Sequence, residues 1–170
     1  MTSMKATIKH LYISPDHNYF GRYGMASMKN PIVECDSLEL VAGSGIVSDR
    51  FFDYEPDYKG QITFFDWAVY QKISSRFPAE EFAAAVFRRN VVVEGVDLNS
   101  LIGKRFRING MEFTGSCECS PCFWMDEAVG DGAEDFLKGR GGLRARIVSG
   151  GSLVAGDANF KVLGDVESEA

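Results

Sequence analysis

The dipeptide Asn109-Gly110 constrains the fold more than any other part of this chain. It stands between two short runs, residues 104–108 and 111–114, which alternate apolar and polar side chains. A two-residue turn of type I′ needs positive φ at both central positions, and Asn-Gly adopts that pair of conformations most readily. The stretch is therefore predicted as an antiparallel hairpin. The rest of the pattern is of the same kind. Residues 5–13, 37–42, 61–64, 90–94, 143–148, 152–155 and 158–163 read as strands, most of them closed by glycine or Asx turns. Residues 66–77 fit a helix with Asp66 as N-cap. Residues 78–87 fit a second one, with Pro78 in its first turn and Glu80 and Glu81 near its positive end. Shorter helical pieces are expected in 126–137, broken by Gly130 and Gly132. Seven to nine short strands and one or two helices do not alternate as a doubly wound sheet requires. A closed or nearly closed β-barrel fits better, and closure removes the edges that short strands expose.

Composition bounds the rest. With 170 residues, 45% of them hydrophobic and 25% charged, the chain is expected to be one ordinary domain over residues 1–170, with a core at about 5–163 and a frayed tail at 164–170. The net charge of −6 speaks against a general nucleic-acid-binding surface. The N-terminal residues show no apolar leader, and no run approaches the roughly 20 apolar residues of a membrane span. A cytoplasmic protein with reduced thiols is expected, and four cysteines are too few for a disulfide framework.

Three of those cysteines fall in Cys117-Glu118-Cys119-Ser120-Pro121-Cys122. Burial as small hydrophobes is one reading, but burial does not require clustering. Structural zinc needs four ligands, usually as two spaced pairs. Here a fourth could come only from distant Cys35, His10 or His17. Cys119-Ser120-Pro121-Cys122 has the form of a redox C-x-x-C, although the surroundings are not βαβ. A single reactive thiolate is the third reading: a helical turn opening at Phe123 would place Cys122 near a positive helix end. The basic residues form local groups. Arg88-Arg89-Asn90 precedes the Val91-Val92-Val93 strand. Lys138, Arg140, Arg144 and Arg146 surround the turn at Gly139, Gly141 and Gly142. Guanidiniums and freed backbone N–H groups suit an anionic ligand, and ordinary surface charge on a tight turn is the alternative. Ser48-Asp49-Arg50 either belongs with them or locks a loop.

The order of these motifs resembles the MOSC domain, named for the C-terminal domain of molybdenum cofactor sulfurases. The series runs through Gly45–Arg50, Lys59–Thr63, Arg88–Val93, Gly95–Leu98, Leu101–Gly103, Pro121-Cys122, Arg140–Ala145 and Gly150-Gly151 through Gly156-Asp157, covering about residues 5–163. The resemblance implies a mainly β, pyruvate-kinase-like barrel with a few short helices. It also implies binding of the molybdenum–pterin cofactor, or handling of sulfur for it. Cys122 maps to the family's cysteine, a molybdenum ligand in relatives that reduce N-hydroxylated compounds and a proposed persulfide carrier in others. Asp49, Arg50, Lys59, Arg89, Asn90, Arg140, Gly141, Gly142 and Arg144 are the cofactor-binding residues the resemblance suggests. Two positions depart from the pattern: Ser48 stands where glycine is usual before Asp-Arg, and the histidine often found ahead of the Gln61 strand is replaced near Lys59-Gly60. The implied partners are the cofactor and a sulfur or electron donor protein. Pyridoxal phosphate is not expected, since the sulfurase domain that uses it would not fit in this chain. A molybdenum-dependent reductase and a non-catalytic zinc- or thiol-based binding module remain as other readings.

Overall fold

The computed structural model describes residues 2–15, 32–77, 84–119 and 129–166. Along the chain they form β1 (Thr2–Ile13), β2 (Val33–Glu34), β3 (Ser37–Val41), β4 (Gly45–Ile46), β5 (Ile62–Asp66), α1 (Trp67–Arg76), β6 (Val91–Glu94), β7 (Lys104–Ile108), β8 (Met111–Glu118), α2 (Ala133–Leu137), β9 (Leu143–Ile147), β10 (Gly151–Val154) and β11 (Gly156–Asp165). The pairing order β11-β7-β8-β9-β5-β6-β1 closes on itself, because β1 also pairs with β11 from Thr2↔Val162 to Ile8↔Gly156. The result is a closed seven-stranded barrel, antiparallel except where β5 and β6 run parallel. β2 extends it beside the end of β1, and β10, β3 and β4 form a separate small sheet.

The local signals explain these elements. Asn109 and Gly110 adopt φ of 49° and 89°, and the hairpin joins β7 to β8 with Ile108 opposite Met111. Asp66 caps α1 by accepting a hydrogen bond from the Ala68 amide at 2.9 Å. Val91, Val92 and Val93 form an unbroken apolar run because both faces of β6 are covered. Val91 and Val93 point into the barrel with Phe64, Phe106, Phe113 and Phe160. Val92 points outward, joining Phe65, Val69, Ile73 and Phe87 beneath α1. Phe65 and Phe87 stack there at 4.5 Å between centroids. Burial of each such side chain contributes about 1.5–3 kcal/mol.

Two expectations are corrected. In the segment expected to be a second helix, the described part is a single 3₁₀ turn, Ala84–Phe87, ended by Arg88 at φ 56°; residues 78–83 lie outside the described residues. Of the helical pieces expected in 126–137, α2 begins after Gly132 at φ 95°, in keeping with the expectation, and residues 126–128 lie outside the described residues. The tail does not fray at Gly164, since Gly164 and Asp165 pair with Arg105 and Lys104, and Lys104 forms an ion pair with Asp165. The two-residue strands β2 and β4 carry too few residues to show an alternation. Among the described residues no helix is long and apolar enough to cross a membrane.

Candidate functional site

Register brings the end of β1 beside the starts of β5 and β6. Asn90, just before β6, is the hub there. Its Oδ1 accepts from the Thr63 amide and hydroxyl, each at 3.0 Å, and its Nδ2 donates to the Tyr12 carbonyl at 3.1 Å and to Asp49 Oδ1 at 3.4 Å. All four hydrogen-bonding positions of the amide are thereby used inside the protein. Asp49, 7% exposed, also accepts from the Ser14 amide at 2.9 Å and the Phe51 amide at 3.2 Å. Its carboxylate ties the loop after β4 to the end of β1.

Arg50 reaches the same end of β1, but only part of its guanidinium is engaged there. Its Nη1 donates to Ser14 Oγ at 3.1 Å and its guanidinium lies over the Phe51 ring at 4.8 Å. Its Nε is buried, with no hydrogen-bond partner among the described residues. Burial lowers the Arg50 pKa, and the positive charges of Arg88 and then Arg89 push it the same way, against the pull of Asp49. Arg144, on β9, completes the group. Burial opposes its charge, but the hydrogen-bonded sulfur of Cys119, with Tyr58 and Cys117 near it, more than offsets this and raises its pKa. Tyr58 is raised by its own burial, with Arg144 acting against that and Tyr54 and Cys119 adding to it. Arg50, Arg88 and Arg144 belong to one neighbourhood: Arg144 pairs with Thr63, Thr63 bonds Asn90 and Asn90 bonds Asp49, so β9, the residues before β6 and the loop after β4 meet there. Such a group suits an anion.

The structure separates the sequence-predicted residues by task. Arg89 is a strut: Nε donates to the Gly141 carbonyl at 2.9 Å, Nη1 to Phe87 O at 2.9 Å and Nη2 to Cys119 O at 3.4 Å. Gly142, at φ 107°, passes so close to β5 that a Cβ there would lie 2.1 Å from the Phe64 carbonyl oxygen. The glycine-rich turn does hold an anion, but one of the protein's own. Glu118 Oε2 accepts from the Gly139 amide at 2.9 Å and the Gly141 amide at 3.4 Å. Arg140 is exposed, stacks on Phe136 at 4.6 Å and lines a separate cavity of about 80 Å³ with Asp66 and Asp97. Lys59 is exposed in the loop that carries Tyr58.

Cys119 is buried beside Arg144, and Cys117 is half-buried on β8. Cys122 and His17 lie outside the described residues. The distant zinc-ligand candidates have other surroundings. Cys35 packs against the barrel core, and its thiol is pushed up by burial and by Asp36 and Glu34. His10 binds Glu34 at 2.7 Å and stacks on Tyr12. Among the described residues no three His, Cys, Asp or Glu side chains are grouped to hold a metal. Sequence reasoning did not single out Tyr58 or the carboxylate of Glu118.

Solved structures share this architecture. The YuaD protein of Bacillus subtilis superposes with a TM-score of 0.72 at 18% identity, covering 98% of this chain and 99% of that one. YiiM of Escherichia coli gives 0.65 at 18% identity, covering 99% of this chain and 73% of that one. YiiM of Geobacillus stearothermophilus gives 0.62 at 11% identity, with 93% and 75% covered. At these identities the likeness shows the fold. No curated protein matches the chain in sequence. The MOSC domain family model matches residues 53–159, well over half the chain, including Arg89, Asn90, Cys122 and Arg144 and leaving out Asp49 and Arg50. The chain therefore belongs to the MOSC domain family, which is associated with binding of the molybdenum cofactor.

Proposed function

We propose that this chain binds the molybdenum–pterin cofactor, or carries sulfur for it, at the arginine-lined end of the barrel, with Cys122 as molybdenum ligand or persulfide carrier. The observation that carries the reading is Arg50. A chain of net charge −6 holds this guanidinium largely buried, its Nε without a hydrogen-bond partner among the described residues, next to a second arginine. Burying a cation in this way costs several kcal/mol unless an anion compensates. The adjacent carboxylate, Asp49, has both oxygens engaged by N–H groups. A phosphate-bearing ligand would supply the missing charge.

The donor set fits the cofactor. Arg50, Arg88 and Arg144 would hold its phosphate, while Asp49, Arg89 and Asn90 keep the surrounding backbone in place. Two residues separate Cys122 from Cys119 in sequence, and three Cα–Cα steps span about 10 Å at most, a limit that supports assigning Cys122 to the same site as Cys119. A thiolate is a soft donor, suited to molybdenum or to sulfane sulfur. When bound, the cofactor would supply a redox-active metal centre. In the sulfur-carrier form, the Cys122 thiolate attacks the terminal sulfur of a persulfide on a donor protein. A sulfur–sulfur bond forms to Cys122 as the donor's breaks, and the donor cysteine leaves as thiolate.

Metal analysis with pterin fluorescence on the purified protein tests this reading. Molybdenum with pterin is the expected result, lost or sharply reduced in Cys122→Ala and in Arg50→Met. A molybdenum-loaded protein that reduces N-hydroxylated compounds with a donor protein is the enzyme form of the same site. Zinc alone, lost on mutation of Cys117, Cys119 or Cys122, makes the chain a zinc-stabilised binding module and overturns the proposal. A Cys122→Ala protein that retains full cofactor loading and persulfide labelling overturns the assignment of Cys122.

A further inference from the structure

Beside the arginines stands a group of rings that the reading above does not use. The centroids of Phe51 and Tyr54 are 5.2 Å apart, those of Phe51 and Tyr58 5.3 Å, and those of Tyr54 and Tyr58 4.9 Å. Tyr54 is 54% exposed. The trio meets the arginines at Phe51, whose ring lies under the Arg50 guanidinium at 4.8 Å, and Tyr58 feels the charge of Arg144.

The loop that carries the rings is held in place. Asp53 and Asp57 adopt left-handed φ of 54° and 52°, which non-glycine residues hold only when their surroundings enforce it. The Asp53 amide donates to the Ser44 carbonyl at 3.0 Å. Asp57 forms an ion pair with Arg146 of β9 at 2.9 Å, and its carbonyl accepts from the same guanidinium at 3.3 Å. Tyr58 lies against Gly60, where a Cβ would come within 3.2 Å of its ring. A rigid, partly exposed aromatic surface set against guanidiniums is arranged in advance for a flat ring, and such arrangement spares a ligand the cost of ordering the loop.

We propose that Phe51, Tyr54 and Tyr58 form a stacking subsite for a planar conjugated ring, so that the site selects anions joined to such a ring over equally charged anions on an aliphatic carrier. The inference rests on the arginine group being an anion site. Ring-on-aromatic stacking contributes about 1–3 kcal/mol, so the preference expected is on the order of tenfold or more.

Calorimetric titration of the intact protein with inorganic phosphate, glycerol phosphate and naphthyl phosphate separates the two ideas. All three ligands should bind, with naphthyl phosphate on the order of tenfold tighter than glycerol phosphate. Tyr54→Ala should erase that ratio while leaving inorganic phosphate unchanged, and Tyr54→Phe, which keeps the ring, should preserve it. Gly60→Ala, which crowds Tyr58, should reduce it. Equal affinity for the two esters, or tyrosine variants that weaken all three ligands alike, would overturn the stacking subsite and leave the anion site standing. Failure of all three ligands to bind, or binding untouched by Arg50→Met, would overturn the anion reading and the subsite with it.

Discussion

Asp49 and Arg50 are adjacent, but the Asp49 carboxylate is fully engaged within the protein whereas Arg50 is proposed to meet a ligand, and Asp49→Asn tests the division. The substitution keeps shape and removes charge and one acceptor. Asp49 Oδ1 accepts from the Ser14 amide at 2.9 Å and from Asn90 Nδ2 at 3.4 Å, and Oδ2 accepts from the Phe51 amide at 3.2 Å. An asparagine must turn its NH₂ toward one of these donors. Facing the Phe51 amide is the cheaper choice, because it breaks one hydrogen bond instead of two. The broken bond and the stranded donor cost about 1–3 kcal/mol, and the two remaining bonds change from charge-assisted to neutral at roughly half a kcal/mol each or more. The sum is about 3 kcal/mol. For a chain of this size each kcal/mol moves the melting temperature by about 2–4 °C, so a fall of roughly 6–12 °C is expected. Urea denaturation followed by far-UV circular dichroism, together with a thermal melt, measures both quantities. A loss below about 0.5 kcal/mol, the range of ordinary surface substitutions, would refute the assignment of Asp49 as the clamp between β1 and the loop after β4.

Arg50→Met should do the reverse: stability stays within about 1 kcal/mol of the wild type, because a buried, poorly compensated charge is replaced by an apolar chain of similar volume, while the stabilisation that saturating phosphate gives the wild type in a thermal-shift assay disappears. Gly142→Ala should cost at least about 3 kcal/mol and show as a low melting temperature or loss of soluble protein, since its Cβ would meet the Phe64 carbonyl at 2.1 Å in a backbone held at φ 107°. Burial, with Glu34 and Tyr70 adding to it, raises the Tyr12 pKa from 10.0 to about 12. The folded state then keeps a proton that the unfolded state releases, so this contribution is present below pH 10 and is lost as the pH rises toward 12. Denaturation curves from pH 8 to the alkaline limit should show the decline, less steep in Tyr12→Phe, and a wild type with unchanged stability across that window would contradict the burial of the Tyr12 hydroxyl.

The parts of the fold that were legible in the sequence are those fixed by neighbours along the chain. The Asn109-Gly110 turn, the Asp66 cap and the two-faced burial of Val91–Val93 each follow from a few consecutive residues. The 3₁₀ turn at Ala84–Phe87 was not legible, because apolar spacing over four residues does not separate it from a helix. Continuation of β11 through Gly164 was missed for a different reason. It depends on Lys104 and Arg105 of a distant strand, whose pairing outweighs the local reading of a glycine followed by acidic residues.

The candidate site shows the same limit at the level of single side chains. Arg88 and Arg89 are adjacent in sequence and chemically identical. A left-handed φ of 56° at Arg88 separates them: Arg89 is spent on three carbonyls, whereas the charge of Arg88 bears on Arg50. No pattern of residue types carries that dihedral. The glycine-rich turn was correctly read as a place where backbone N–H groups gather, but its anion is Glu118, more than twenty residues earlier in the chain. Because Glu118 already occupies those N–H groups, an incoming phosphate would have to displace a carboxylate to use them, while Arg50 offers a buried donor with no partner among the described residues. The proposed anion site is therefore centred on Arg50, Arg88 and Arg144, beside the rings of Phe51, Tyr54 and Tyr58, rather than on the turn that the sequence made conspicuous.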